Sequence, residues 1–349
     1  MLNFDFFHKQ LPSHPSGKYA HIVMLRETKG YALFQTDGEL NRARVSAGVP
    51  GVGDETPMTR ITIFKRKQTT PERLNGRELL RRHGILADMS EIFEGIPPKK
   101  DGDIKNGVQN FNKGRKSLPY ACIYNVRACN RCPDCITYGF AIGGGSEKSK
   151  VYSDTAFSLT DYAVSHEVFT LNAPYEDGTM SNSEEGMATS LAQQDHVKPQ
   201  VFFPSVITTR DLTANLFLYV LNNVTRTERY GAITTRGGTV KNHIVAIILS
   251  DGEIFSNLLF TQRLYDILKP EGNDPVKLSD AVHATKEVIP ALLKEDNVRE
   301  EQVLMGAELG SFLQTLRETP DNKVLDVIQG AMSECEDYYR KYISEEKTK

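Results

Sequence analysis

Four of the five cysteines in this 349-residue chain fall within fourteen positions: Cys122, Cys129, Cys132 and Cys135. Such crowding in a chain without secretory features points to a metal site rather than to disulfides. Cys129-Asn130-Arg131-Cys132 leaves two residues between thiols, so one tight turn presents both sulfurs to a single ion. Cys132-Pro133-Asp134-Cys135 repeats the spacing. Zinc accepts tetrahedral thiolates at ~2.3 Å, and a site closed by four of them staples a loop-rich lobe rather than catalysing. Structural Zn2+ on Cys122, Cys129, Cys132 and Cys135 is the expected reading, with Arg127 and Arg131 offsetting the thiolate charge. Two alternatives stand beside it. Cysteines at successive two-residue gaps also resemble a ferredoxin run, although no fourth cysteine followed by proline comes after them. In the other, one or two cysteines are ordinary core residues and a histidine such as His83 completes the site.

The chain is long enough to bury a core without disulfides, and 39% hydrophobic with 25% charged residues describes an ordinary globular protein. No apolar run is long enough to span a membrane, and MLNFDFFHKQLPSHPSGKY lacks a basic head followed by an apolar block. A cytoplasmic location without membrane partners is therefore expected. The net charge of −3 argues against a globally basic nucleic-acid binder. The charge is uneven, however. Arg60, Lys65, Arg66, Lys67, Arg73, Arg77, Arg81 and Arg82 face only Glu72 and Glu78 in the same stretch. Gripping a phosphate backbone takes such a local stripe, not a global excess.

Residues 19–34 read as a strand, a turn at Lys29-Gly30 and a second short strand. A loose segment over 47–57 precedes the strand MTRITIFKR. PERLNGRELLRRHG reads as a helix starting at Pro71 and closed at Gly84. Residues 95–118 read as a polar connector. Residues 172–200 hold almost no large apolar side chains and cannot build a core, so they read as an excursion between two paired strands, HEVFTL and QVFFPSVI. DLTANLFLYVLNN reads as a helix with Asp211 as N-cap. YGAITT and HIVAIILS read as strands joined by Arg236-Gly237-Gly238-Thr239. The C-terminal third is helical, with Met305, Leu309, Phe312, Leu313 and Leu316 at helical spacing. Cys335 lies on a second apolar stripe, as a core thiol. The element order fits an α+β fold of the ferredoxin or RNA-recognition type.

Lys65-Arg66-Lys67 at a strand end, with Arg73, Asn75 and Arg77 opening the next helix, makes a favourable phosphate site; a solvated charged face is the plain alternative. Arg226, Arg229 and Tyr230 lead into Gly231, and Arg236-Gly237-Gly238 form a turn whose backbone N–H groups could meet phosphate. A simple hairpin turn would need no ligand. Gly143-Gly144-Gly145, followed by Lys148 and Lys150, is a similar basic loop.

ACNRCPDCITYGFAIGGG, KVYSDTAFSL, HEVF, the polar excursion, QVFFPSVITTRDL and RTERYGAITTRGG together resemble the Cas-seven backbone subunit of type I-D CRISPR complexes, the Csc-two group. The resemblance runs from about residue 19 to 250. It implies an α+β fold with a modified RNA-recognition (ferredoxin-like) palm over residues 19–85 and 140–250. A zinc-binding, fingers-like insertion would cover 86–139, a thumb excursion 170–201, and a helical C-terminal region 251–349. It implies a subunit that binds guide RNA (crRNA), polymerises along it with other copies of itself, and presents it for pairing with a target DNA or RNA strand beside the other subunits of the complex. Guide contacts would fall on Lys65, Arg66, Lys67 and Arg77, on Arg226, Arg229, Arg236, Gly237 and Gly238, and on Lys148 and Lys150. No RNP-like aromatic run is present, so phosphate contacts and thumb wedging should dominate base stacking. Two further readings accompany this one. Related type III subunits cut RNA with an acid in a loop after the first strand, where Asp37 lies here, although an Asp beside Gly38 is ordinary turn chemistry. The other is a zinc-stapled protein-interaction module using the helical end. No catalytic residue is expected.

Overall fold

The computed structural model describes the chain except residues 37, 95–100, 114–116, 143–145, 172–180, 183–185, 188–191, 271, 273 and 345–349. In chain order the main elements begin with strands β1 (Tyr19–Thr28), β2 (Arg42–Ser46) and β3 (Pro57–Ile63). Helices α1 (Lys65–Arg82), α2 (Asp101–Asn112) and α3 (Pro133–Tyr138) come next. Strands β4 (Val151–Ser153), β5 (Ala156–Phe157), β6 (His166–Leu171), β7 (Ala192–Val197) and β8 (Phe202–Arg210) then precede helix α4 (Ala214–Arg226) and strand β9 (Val240–Ser250). Helices α5 (Asn257–Leu268) and α6 (Leu278–Glu295), strand β10 (Glu300–Met305), and helices α7 (Gly306–Arg317) and α8 (Asp321–Tyr338) complete the chain.

A five-stranded antiparallel sheet in the order β10-β9-β1-β8-β4 forms the frame. β1 is buried along its whole length, with Tyr19 opposite Arg210 on one side and Ser250 on the other. Alternation along β1 feeds two cores. Ala20, Ile22 and Met24 pack with Leu79 and Leu80 of α1, Leu216 and Val220 of α4, and Met332 of α8. Val23 and Leu25 pack instead with Phe260 of α5 and Val288 and Leu292 of α6. Both faces of the sheet are thus covered by helices, which explains a near-continuous apolar strand where a half-exposed one would alternate with polar residues. Among the described residues no helix is long and apolar enough to cross a membrane.

Several local expectations are corrected. α1 starts at Lys65, so Lys65-Arg66-Lys67 form its first turn and Pro71 lies inside it; burial of Gln68, Thr69 and Glu72 overrides the local penalty of the proline. After Lys29-Gly30 the stretch up to residue 34 makes only a bridge from Ala32 to Val197, and the short strand that follows, Gln35–Thr36, lies beyond the expected span and pairs with Glu39–Leu40. Residues 101–112, read as connector, form α2. HEVFTL does not pair with QVFFPSVI: β6 pairs with β7, while β8 joins the central sheet. β7 reads AQQDHV, too polar to betray a strand. Asp211 is no N-cap. Thr213 caps α4 by accepting from Leu216 N, and the Asp211 carboxylate accepts from Ser16 N, Lys18 N and Ser16 Oγ, tying down the segment before β1. The C-terminal region carries the strand β10, which ends at Met305, so that residue belongs to the sheet rather than to the next helix.

YGAITT is a loop, not a strand. A bridge between Arg229 and Thr239 closes it, and Ala232 N and Gly238 N donate to Leu33 O and Tyr31 O. Gly231 and Gly238 have φ of +88° and +80°, and a Cβ on either would stand 2.4 Å from Leu33 O or 2.2 Å from Tyr230 O. Only glycine permits that approach.

Candidate metal centre and nucleic-acid interface

The cysteine-bearing segment folds locally as its spacing dictates. Asn130, at φ 67°, makes the left-handed turn between Cys129 and Cys132, a conformation asparagine tolerates well. Cys132 then caps α3, with Pro133 at the first helical position, and Cys135 N points at Cys132 Sγ from 3.5 Å. All four cysteines are buried, and their sulfurs lie within 4.8 Å of one another. Cys122 and Cys129 Sγ stand 3.5 and 4.0 Å from Cys135 Sγ. A tetrahedron with ~2.3 Å bonds needs sulfurs ~3.8 Å apart. These residues therefore can hold a metal ion. Cys122 is the fourth thiol of the group; His83 stands outside it.

Charge around the site comes from α1. Arg77, 1% exposed, donates Nη1 to Asp134 Oδ2 at 2.8 Å and to Cys122 Sγ at 3.4 Å, and Nη2 to Cys122 O. Arg73 clamps the same carboxylate through Nε and Nη2 at 2.9 and 3.0 Å. Burial alone would lower the Arg77 pKa, but the Cys122 and Asp134 charges outweigh it and the value is raised. The hydrogen bonds of the neighbouring cysteines, with Arg77 adding its charge, hold the Cys122 thiol well below its ordinary value. Such outer partners orient ligands and offset thiolate charge. Arg77 was expected to contact RNA; its guanidinium is instead enclosed and taken up by Asp134 and Cys122. Arg131 lies over the rings of Tyr120 and Tyr339 at 4.8 and 4.3 Å. The cysteines share one core with α1, α4 and α8, including Cys335, which is fully buried as expected.

The other basic candidates divide by exposure. Lys65 and Arg66 are exposed and Lys67 partly so, and none of the three forms a salt bridge among the described residues. Burial, and then the charge of Arg66, lowers the Lys67 pKa. Arg226 and Arg236 are likewise exposed, and Arg229 donates Nη1 to Gly237 O at 3.1 Å. Asn75 of α1 donates to Arg226 O at 3.2 Å, so the foot of α4 sits ten residues, ~15 Å, along α1 from Lys65. Lys148 is exposed. Lys150 is not free: its Nζ donates to Glu147 Oε1 at 2.6 Å and Ile136 O at 3.2 Å and lies over the Tyr338 ring. Gly143-Gly144-Gly145 and Asp37 lie outside the described residues.

Sequence reasoning missed a buried link between these parts. Arg26 Nη2 donates to Glu72 Oε1 at 2.8 Å, and Tyr230 OH donates to the same oxygen at 3.1 Å. Arg26 Nη1 donates to Asn242 Oδ1, and Asn242 in turn donates to Tyr230 OH at 2.8 Å. Arg26 stood in an apolar strand pattern and Tyr230 beside a glycine; a charge inside such a strand was the available signal.

The protein-family model described as Csc2 Crispr matches residues 6–326. The chain belongs to the Csc2 CRISPR family. The crystal structure of Thermofilum pendens Csc2 is similar, with a TM-score of 0.59 and 14% identity over 97% of this chain and 95% of that one. Two structures described as CRISPR RNA-guided surveillance complexes, the second pre-nicking, have TM-scores of 0.46 and 0.49. They are 10% and 12% identical over 81% and 80% of this chain and 86% and 89% of theirs. No curated protein matches. The Csc2 resemblance read from the cysteine run and RYGAITTRGG is thus borne out over nearly the whole chain, including the helical part for which no motif was matched.

Proposed function

We propose that this Csc2 family member is a guide-RNA-binding backbone subunit of a type I-D CRISPR surveillance complex. Copies of it would line up along the crRNA and, with the other subunits, present the guide to a target strand in the cytoplasm. The observation that carries this reading is a set of exposed cations, without acidic partners among the described residues, on a chain whose net charge is −3. They are Lys65 and Arg66 at the head of α1, with the half-buried Lys67 beside them, and Arg226 and Arg236 around the foot of α4. Arg229 and Lys148 extend the same set; Gly237, Gly238 and Lys150 support it from buried or half-buried positions. Such groups hold phosphates while base pairing reads sequence.

The strand order β9-β1-β8-β4, with α1 and α4 between its strands in sequence, supports the RNA-recognition-like palm over 19–85 and 140–250. The β6–β7 ladder supports the thumb at 170–201 as a hairpin. Residues 86–139 would be the metal-bearing insertion and 251–349 the region covering the second face of the sheet and closing its β9 edge. Zinc is the ion proposed: sulfurs all within 4.8 Å suit one tetrahedral centre, whereas a [4Fe–4S] cube spreads its ligands over four irons. Its role is to fix the knuckle against α1, and the subunit is proposed to be non-catalytic.

The test is RNA binding by the full chain. Replacing Lys65, Arg66 and Lys67 with Gln should weaken binding to all single-stranded sequences alike. The slope of log K against log salt should flatten by about 0.7 for each phosphate the variant no longer holds. An unchanged slope would leave the triplet a solvated surface. Purification from the native operon should bring down a discrete RNA shared by several copies; a clean monomer in the presence of its partner subunits would favour the protein-interaction module.

A further inference from the structure

At the root of the β6–β7 hairpin three aromatic rings from distant parts of the sequence meet at the surface. Tyr31 stands edge-on to Phe169 at 4.7 Å and to His196 at 6.3 Å, and Phe169 meets His196 at 5.1 Å. Tyr31 is 39% exposed, so its ring is open to a ligand. Its orientation is fixed all the same, because its hydroxyl donates to Glu167 Oε2 at 2.8 Å. Val168, on the same strand as Phe169, is 51% exposed.

The glycine-arginine loop sits directly on this cluster. Gly238 N donates to Tyr31 O at 3.2 Å, and a Cβ on Gly237 would stand 2.7 Å from that oxygen. Arg229 reaches the same turn through Gly237 O, and Arg236 at its tip is exposed and without an acidic partner among the described residues. Aromatic faces beside unneutralised guanidinium groups are the combination that binds unpaired nucleotides, because every base has a π-face and every nucleotide a phosphate. A sheet with both faces buried does not offer its own aromatics to RNA, so any stacking surface lies off the sheet.

We propose that Tyr31, Phe169 and His196 form a stacking platform for one unpaired base of the guide strand, with Arg229 and Arg236 on the flanking phosphates. The proposal rests on the guide-binding reading above and adds base contact where the sequence pointed to phosphate contact alone. Tyr31 supplies the stacking face, while Phe169 and His196 hold it upright. A ring already fixed by Glu167 loses little freedom when the base arrives.

The experiment compares a short single-stranded RNA with the same strand carrying abasic positions, on the full chain. The wild type should prefer the intact strand. Tyr31→Leu keeps apolar bulk at the hairpin root and should weaken intact RNA roughly five- to a hundredfold while leaving the salt slope and abasic binding unchanged. Tyr31→Phe, which keeps the ring but gives up its tie to Glu167, should still prefer the intact strand over the abasic one and lose far less affinity than Tyr31→Leu. Equal loss for intact and abasic strands, or no loss at all, overturns the platform while leaving guide binding intact. Absence of RNA binding by the wild type removes both readings. A fluorescent aminopurine base placed along the strand gives a readout free of mutation: at least one position should be quenched on the wild-type protein, and quenching at none overturns the stacking.

Discussion

The centre of this protein turns on single side chains whose partners lie far away in sequence. Cys132 is at once one of the four thiols proposed to hold zinc, the cap of α3 and part of the main core. Cys132→Ser should therefore lower metal content and thermal stability together, checked by elemental analysis and a melting curve on the same sample. A variant that melts like the wild type but without its metal would show that the knuckle does not support the fold. His21 is a second such residue. It is buried in β1 between Thr208 Oγ1 and Ser250 Oγ, and burial pulls its pKa down to about 4. The folded state holds it neutral while the unfolded chain would protonate it near pH 6.5, so acid favours unfolding. Stability should fall by about 3 kcal/mol between pH 6.5 and 4, over and above the loss in a His21→Gln variant, in urea titrations across that range. The cysteine ligands were legible because spacing and metal chemistry are local. Arg77 was not: its charge suggested phosphate, and only the fold brings it to Asp134 and Cys122. Asp134, the one acid between two ligand cysteines, was the clue that such a partner was needed.

Among the elements, α1 connects the cation patch, the buried link and the metal knuckle. Its first turn carries the free cations, its middle the Glu72 contact with β1 and the glycine loop, and its third and fourth turns the arginines at the knuckle. Glu72→Ala would leave Arg26 as a buried charge without its counter-ion, a change that costs ~3–5 kcal/mol. A fall of that size in the unfolding free energy from urea titration is expected, whereas a loss below about 1 kcal/mol would mean that Arg26 escapes to solvent. The helix was legible from Pro71 onward but its first turn was not, since a proline reads as a start when the burial on either side of it is unseen. β7 escaped for the opposite reason. Gln193, Gln194 and Asp195 have neither apolar alternation nor β-branching, and pairing with β6 alone makes them a strand.

The whole molecule is a sheet enclosed on both faces, and its last hundred residues complete it. β10 pairs with β9, while Leu309, Phe312, Ile328 and Met332 lie in the core that also holds the cysteines. A chain cut after residue 298 should be insoluble or retain little metal, judged by solubility and metal content after expression. A soluble, metal-loaded product would make the helical end a dispensable module. The sequence identified the apolar stripes here but not what they cover, because a stripe names a buried face and never its partner. The pairing of β1 has a further consequence, for the time order of synthesis. Tyr19 leaves the ribosome long before its neighbours Arg210 and Ser250. The nascent chain must carry β1, with its apolar stretch Ile22–Leu25, unpaired until those strands emerge. Folding dominated by such long-range contacts is slow and exposed to aggregation. A cell making many copies of this chain would depend on chaperones, or on slow translation through residues 30–200, to keep that first strand from meeting its counterpart on another copy.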